Sequence, residues 1–233
     1  MNKQQSGFTL VEIAIVLVII GLLLGGVLKG QELINSAKVK NMVSDFRTVP
    51  TLIYGYQDRF RVFPGDQTQA QLTAAFGTTA LGAPLATACK AATAGCVPGN
   101  GRMDGNWNDL ADSETYVFWQ HVRLANLATG TVNLGTAEYE PRNADGGRIG
   151  IEGVVLNAGG AANPWIAGMR GSFYVCSDNI VGRLVRQIDT SMDDGNTAAG
   201  SVQAVLAGSG RGTLPTATAA IVDNQQYIVC AAF

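Results

Sequence analysis

The chain has 233 residues, of which 47% are hydrophobic and 15% are charged, and its formal net charge at pH 7 is −2. This length suits one apolar helix and one globular domain, and the scattered charges form no basic patch of the kind that binds nucleic acid. Four cysteines without a CxxC pair, together with a single histidine, argue against a zinc site. We therefore expect no cofactor, no metal and no nucleic-acid partner.

The first predicted element is an apolar helix at residues 8–28. It contains one charged side chain, Glu12, and a helix of this length spans about 30 Å, the thickness of the hydrocarbon core of a membrane. A carboxylate in hydrocarbon costs on the order of 2 kcal/mol or more unless it is paired or neutralised. Glu12 is therefore a candidate functional residue. The alternative is that it reaches the headgroups from the helix end.

The hexapeptide GFTLVE at residues 7–12 follows a short polar leader that carries Lys3. This arrangement resembles the cleavage and methylation signal of type IV pilins and type II secretion pseudopilins. The resemblance implies that a prepilin peptidase cleaves after Gly7 and methylates the new amino terminus, Phe8. It also implies that Glu12 meets the amino terminus of a neighbouring identical or related subunit during assembly of a helical pilus or pseudopilus filament.

Later segments are similar to a subgroup of pilin-like proteins, with lower specificity: residues 26–46, residues 56–66, GGRIGIEG and DDGNTAAGSVQA. Many pilins carry a proline near the end of the apolar helix. In this chain four glycines occupy the region instead, at positions 21, 25, 26 and 30. Because each glycine costs a helix interior roughly 1 kcal/mol relative to alanine, they predict a weak helical segment.

The resemblance and the patterns together predict an α+β protein. Residues 1–7 form a cleaved leader, and residues 8–60 form a long helix whose membrane-spanning part is 8–28. Residues 61–233 form a globular domain with an antiparallel sheet and short helices. We expect a single-pass protein of the inner membrane with a periplasmic carboxyl terminus, which later joins a periplasmic or cell-surface filament.

Different features of the sequence favour different sides of the membrane for the carboxyl terminus. Lysines lie on both sides of the apolar segment, so the positive-inside rule alone does not favour an outside carboxyl terminus. The even number of cysteines suits an oxidising compartment and favours the periplasm. A cleaved secretory signal ending near Gly25 and Gly26 is the competing interpretation, although Glu12 would interrupt its hydrophobic region.

Helical spacing continues beyond the apolar segment, over residues 31–56. One face carries Lys38, Lys40, Asp45 and Arg47, and the opposite face is apolar and should pack on the globular domain. Pro50 should kink the helix without ending it, since the pattern resumes beyond it. The sequence Pro-Gly-Asp at residues 64–66 predicts a turn that closes the helical region.

Residues 68–101 are rich in Ala, Thr and Gly and predict a loop. The short spacing of Cys89 and Cys96 favours a local disulfide. Cys176 and Cys230 then form the second bond, which ties the carboxyl-terminal strand to the sheet. Two other pairings remain open: 89–176 with 96–230, and 89–230 with 96–176.

Oxygen-bearing side chains cluster around Gly105, namely Asp104, Asn106, Asn108 and Asp109. They loosely resemble a calcium loop, and some pseudopilins bind calcium. The fit is poor, because Arg102 falls on a ligand position and Ala111 falls where a bidentate Glu belongs. A hydrogen-bonded turn is the favoured interpretation.

The remaining elements are short. Asp112 or Ser113 should cap a helix that runs to about Ala128 and includes His121, which we interpret as a satisfied core residue. Strands are predicted at residues 148–156, 172–176 and 226–230, with a helix at 179–189. The glycines at 208–212 predict a surface loop.

No catalytic constellation emerges from these patterns, since a Ser-His-Asp triad would have to use the one histidine. We therefore expect a structural subunit, not an enzyme, whose partners are other pilin subunits and the prepilin peptidase, with no small-molecule substrate. The alternative is a membrane-anchored periplasmic enzyme or ligand-binding domain.

Overall fold

The computed structural model describes residues 10–90, 96–110, 112–154 and 163–233. The chain divides into two compact units, Met1–Lys38 and Val39–Phe233. The first described element, helix α1 (Leu10–Phe60), contributes residues to both units.

In the first unit α1 stays helical through Gly21, Gly25, Gly26 and Gly30. Three leucines separate Gly21 from Gly25, and Val27, Leu28 and Lys29 separate Gly26 from Gly30; leucine and lysine are good helix formers. The helix therefore tolerates them without a break.

In the second unit α1 buries one face. Its buried side chains recur at spacings of three and four residues, as expected for an amphipathic helix, and include Met42, Phe46, Val49, Ile53 and Tyr56. The helix continues through Pro50, as the sequence predicted, and ends at Phe60, where the following Arg61 takes a φ of 62°. This face of α1 thus forms part of the core of the second unit.

The other elements are short helices and strands. They are α2 (Gln69–Phe76), α3 (Glu114–Leu124), β1 (Ile149–Gly153), β2 (Phe173–Val181), α4 (Gly182–Met192), β3 (Val202–Leu206), a 3₁₀ turn (Thr218–Ala220) and β4 (Gln226–Ala232).

The four strands form one antiparallel sheet with the order β1-β2-β4-β3. The expected α+β architecture, a long apolar helix followed by a domain with an antiparallel sheet and short helices, is therefore confirmed. A bulge between Ser177 and Ile180 interrupts the β2–β4 ladder, and Asn179 within it has a φ of 58°.

Both faces of the sheet are buried. Alternate residues of β2, such as Phe173 and Val175, join the core formed with the helices. Their neighbours Tyr174 and Cys176 point to the other face, as the two-residue period of a strand requires, and pack with Trp107 and Trp165. The loops that carry the two tryptophans therefore cover the face of the sheet opposite the helices.

Both predicted disulfides are present, Cys89–Cys96 and Cys176–Cys230. The second joins residues that lie directly opposite each other on β2 and β4. This pairing confirms that the two strands are neighbours.

Several boundaries differ from the sequence prediction. The helix expected at residues 179–189 begins only at Gly182, because β2 continues to Val181 and pairs there with Gln226. The helix expected to reach Ala128 ends at Leu124, and the predicted strand 148–156 is confined to Ile149–Gly153 within the described residues. Helix α2 lies in the region predicted as a loop, and β3 was not predicted.

Candidate processing and assembly site

The residues predicted to direct processing and assembly lie at the amino-terminal end of the chain. Gly7 and Phe8 fall outside the described residues. Glu12 lies in the first turn of α1 and is exposed. A carboxylate in this turn interacts favourably with the positive end of the helix dipole. The charge of Glu12 at this position therefore does not oppose formation of the helix.

The apolar side chains that follow Glu12 are also exposed. Leu10 is 91% exposed and Leu28 is 67% exposed. In the part of the chain that the structure describes, α1 is the one helix that is long and apolar enough to cross a membrane, judged by length and composition; its most apolar window has a mean hydropathy of 2.8. Such an apolar surface needs lipid or other apolar helices around it.

The glycines of this segment leave parts of the helix surface without side chains. Gly21 and Gly25 are four residues apart, as are Gly26 and Gly30, so each pair lies on one helix face. A Cβ atom added at any of them would meet nothing within 4 Å. In lipid, small residues at this spacing allow the backbone of another helix to approach closely.

The single histidine is part of the core, as predicted. His121 is fully buried. Its Nδ1 accepts a hydrogen bond from the backbone N–H of Gly65, and its Nε2 donates to the carbonyl oxygen of Thr87, both at 2.9 Å. Burial lowers the pKa of His121 to about 4. Both ring nitrogens are thus hydrogen-bonded to backbone groups. Through these bonds the side chain attaches the segments around Gly65 and Thr87 to α3.

Two buried carboxylates fasten the loop after Cys96, and the sequence analysis missed both. Asp66 accepts hydrogen bonds from the backbone N–H groups of residues 99, 100 and 101. Glu114 accepts from the N–H groups of Val97 and Asp104, each at 2.7 Å. Burial raises the pKa of Glu114 to about 7, although the two hydrogen bonds oppose the shift. These contacts make the loop a rigid part of the second unit.

A third buried carboxylate, Glu152, lies on β1. One of its oxygens accepts a hydrogen bond from the N–H of Trp165 at 2.7 Å and lies 3.3 Å from a guanidinium nitrogen of Arg211. Burial raises the pKa of Glu152 to about 7, against the opposing effect of Arg211. Glu152 therefore joins the strand to two loops that lie far away in the sequence.

The residues suggested as a weak calcium site form a hydrogen-bonded turn. The carboxylate of Asp109 accepts from the backbone N–H and the side-chain amide of Asn106, and Asp104 accepts from the side-chain amide of Asn100. Arg211 donates to the amide oxygen of Asn106 at 2.6 Å. A guanidinium in this position competes with a cation for the same oxygen. The backbone carbonyl of Asn108 likewise accepts from Arg148.

Residues 2–28 match a family profile described as the prokaryotic N-terminal methylation motif. The chain carries this methylation motif. It is the signal of type IV pilins and pseudopilins, and it contains the predicted Gly7, Phe8 and Glu12. A search of curated proteins found no match.

The methylation motif spans most of the predicted leader and the apolar first part of α1. Together with that helix, the motif indicates a membrane-anchored protein of the pilin type. A motif of this kind in general implies processing by a prepilin peptidase.

Proposed function

We propose that the protein is a type IV pilin-like structural subunit. A prepilin peptidase cleaves it after Gly7 and methylates Phe8, and the processed subunit is assembled through its amino-terminal helix into a pilus or pseudopilus filament. The observation that carries this proposal is the methylation motif at residues 2–28, whose apolar part forms the exposed first turns of α1.

Before assembly the helix anchors the subunit in the inner membrane, with the second unit in the periplasm. The two disulfides of the second unit support this location, because disulfides form and persist in oxidising compartments. The apolar side chains of α1, which face lipid in this state, face other subunits in the filament.

Glu12 gives assembly its specificity in this proposal. Its carboxylate pairs with the methylated amino group of Phe8 from a neighbouring subunit, and the attraction is strong because both charges lie in a low-dielectric environment. The pair also fixes the axial register between adjacent helices. A plain membrane anchor would have no need for a carboxylate at this position.

The protein has no catalytic role in this proposal, and its partners are identical or related subunits and the peptidase. The buried position of His121 supports this assignment, because both ring nitrogens are bound to backbone groups. The buried acidic groups Asp66, Glu114 and Glu152 all accept hydrogen bonds that hold loops in place.

Intact-mass measurement of the protein purified from its native membrane tests the processing step. We expect a mass that lacks residues 1–7 and includes one additional methyl group. Sheared cell-surface or periplasmic filament fractions should then contain this processed form. An unprocessed chain, or one cleaved near Gly25, would contradict the proposal, the second result because it indicates a secretory signal.

A further inference from the structure

Three acidic side chains converge at the carboxyl-terminal end of α4. Asp189 lies in the last turn of the helix, Asp193 is the residue that caps it, and Asp194 follows. One carboxylate oxygen from each lies within 4.8 Å of the others. Asp189 is 1% exposed, whereas Asp194 is exposed. The cluster therefore extends from the interior to the surface.

Among the described residues, the carboxylate of Asp189 has little to offset its burial. Both of its oxygens are inaccessible to water, and neither has a hydrogen-bond partner of normal geometry among the described residues. An ionised carboxylate in such a position is strongly unfavourable unless a positive charge or hydrogen bonds offset its desolvation. Its place at a helix carboxyl terminus adds to the cost, because that end of the dipole is negative.

The charges around Asp189 have the same sign as its own. Burial, and then the charges of Asp193 and Asp194, raise the pKa of Asp189 to about 6, and the backbone N–H of Gly195 opposes the shift only in part. Two basic side chains near the end of α4 make other contacts. Arg186 is paired with Asp223, and Arg47 donates to the carbonyl oxygen of Ser191 at 3.4 Å.

We propose that Asp189, Asp193 and Asp194 bind a divalent cation that prefers oxygen ligands, Ca²⁺ or Mg²⁺. Ca²⁺ takes carboxylate oxygens at about 2.3–2.6 Å, so ligands on opposite sides of one ion lie up to about 5 Å apart. The separation of the three oxygens falls within this range. Water can complete the coordination on the exposed side, next to Asp194.

The bound cation links two elements of the second unit. The carboxylate of Asp193 also accepts hydrogen bonds from the backbone N–H groups of Ser201 and Val202, at 2.5 and 3.0 Å, and Val202 is the first residue of β3. Because β3 lies at the edge of the sheet, the cation fastens an edge strand to the end of α4. The site thus stabilises the second unit, and it lies apart from the turn at residues 100–109.

Thermal unfolding of the detergent-solubilised full-length protein, treated with EDTA and followed by tryptophan fluorescence, tests the site. The three tryptophans, 107, 119 and 165, all lie in the second unit. Addition of CaCl₂ or MgCl₂ to about 100 times Kd should raise Tm by roughly 5–10 °C. The ion that produces the rise at the lower concentration is the preferred ligand. An equal rise in NaCl of matched ionic strength would overturn the proposal, since screening alone would then explain it.

The variant Asp189→Asn should shift Tm in opposite directions in the absence and in the presence of the cation. In EDTA it should raise Tm relative to the parent, because it removes a buried like charge. In saturating cation it should lower Tm relative to the parent, because it removes a ligand. The same rise under both conditions would overturn the proposal.

Two further variants, one at an exposed and one at a half-buried aspartate, test where the cation binds. Asp194→Asn should weaken cation binding at least tenfold in calorimetric titration. In EDTA it should raise Tm by less than Asp189→Asn does, because it removes a like charge near Asp189 but is itself exposed. Asp104→Asn is the matched control in the other acidic loop and should bind as the parent does. Loss of binding in Asp104→Asn, with parental binding in Asp194→Asn, would place the ion elsewhere and overturn the assignment.

Discussion

The backbone N–H of Gly65 donates a hydrogen bond to Nδ1 of His121, and the two nitrogens are 2.9 Å apart. Since Nδ1 accepts, the ring proton lies on Nε2, which donates to Thr87. Gly65 has a φ of 101°, and a Cβ there would lie 2.4 Å from the carbonyl oxygen of Glu114. The turn after α1 therefore requires glycine, because it packs against the start of α3 and donates to the neutral imidazole of His121.

His121 should titrate near pH 4 in the folded protein. Because it is the single histidine, a selectively ¹³C-labelled sample gives its pKa directly from the ring resonances. We expect a midpoint of about 4, compared with about 6.5 for the same residue in denaturant. A folded-state midpoint at or above 6 would contradict the burial and hydrogen bonding described for the ring.

The lowered pKa of His121 also fixes the sign of its effect on stability. Between pH 4 and 6.5 the unfolded chain binds more protons at this residue than the folded chain, so its contribution to stability is complete above 6.5 and is lost as the pH falls toward 4. The loss is about 3 kcal/mol. Glu114 and Glu152, with pKa values raised to about 7, act in the opposite direction between pH 4.5 and 7.

The two disulfides should differ in their contribution to stability. Cys176–Cys230 closes 54 residues and Cys89–Cys96 closes 7. The chain-entropy model gives about 4 kcal/mol for the long loop and about 2 kcal/mol for the short one. Urea unfolding of the double variants Cys176→Ala/Cys230→Ala and Cys89→Ala/Cys96→Ala measures both. A larger loss from the short loop would show that contacts around Cys89 outweigh loop entropy.

Gly150 on β1 should not tolerate a side chain. The backbone of the 103–107 loop crosses the strand there, and a Cβ at Gly150 would lie 1.8 Å from the carbonyl oxygen of Trp107. We expect Gly150→Ala to lower the free energy of unfolding by about 2–4 kcal/mol. Gly210→Ala is the matched control, because a Cβ there meets nothing within 4 Å, and it should change stability by less than about 0.5 kcal/mol.

Gly7→Leu should abolish processing. The peptidase must close around a small side chain at the cleaved bond, so the variant should remain in the membrane with residues 1–7 attached. Intact mass and the amount of protein in the filament fraction are the measurements. Gly7→Ala, with a small side chain, should be processed at least in part. Normal filaments from the Gly7→Leu strain would refute the assigned cleavage position.

Glu12→Ala should separate processing from assembly. The variant should be cleaved and methylated, and should insert into the membrane more favourably than the parent, since a carboxylate in hydrocarbon costs on the order of 2 kcal/mol or more. Without the partner for Phe8 it should be nearly absent from filaments. Glu32→Ala is the control, because this exposed carboxylate on α1 pairs only with Lys29 among the contacts described. Equal incorporation of Glu12→Ala and the parent would remove the basis for the proposed pairing.

Periodic patterns were sufficient to predict the long elements. The spacing of Met42, Phe46, Val49 and Ile53 identified the buried face of α1, and the apolar runs FYVC and YIVC identified β2 and β4. The weaker elements lacked that signal. Helix α2 buries only Leu72, although Thr68 and Gln71 form a capping box that is visible in the sequence.

The buried acidic groups could not be predicted in the same way. The residues next to Glu114 and Glu152 in the sequence give no sign that these carboxylates are buried. Their hydrogen-bond partners, such as the N–H groups of Val97 and Trp165, come from other loops. For Asp189 the local sequence shows three acidic residues, but the burial that isolates its carboxylate depends on how α4 packs against the rest of the second unit. The amino-terminal motif was recognisable because its information is contained in consecutive residues.

The position of β4 in the sheet determines when the second unit can fold. β4 lies between β2 and β3, yet it follows both in the chain, so β3 has no described strand partner until β4 has been synthesised. The thiol of Cys176 must likewise wait for Cys230, while Cys89 and Cys96 can pair earlier, as soon as both are in an oxidising compartment. Until β4 is present, the incomplete sheet exposes strand edges and the unpaired thiol of Cys176, a state that is prone to aggregation and disulfide exchange. In the proposed topology, α1 keeps the incompletely folded second unit at the membrane surface during this interval.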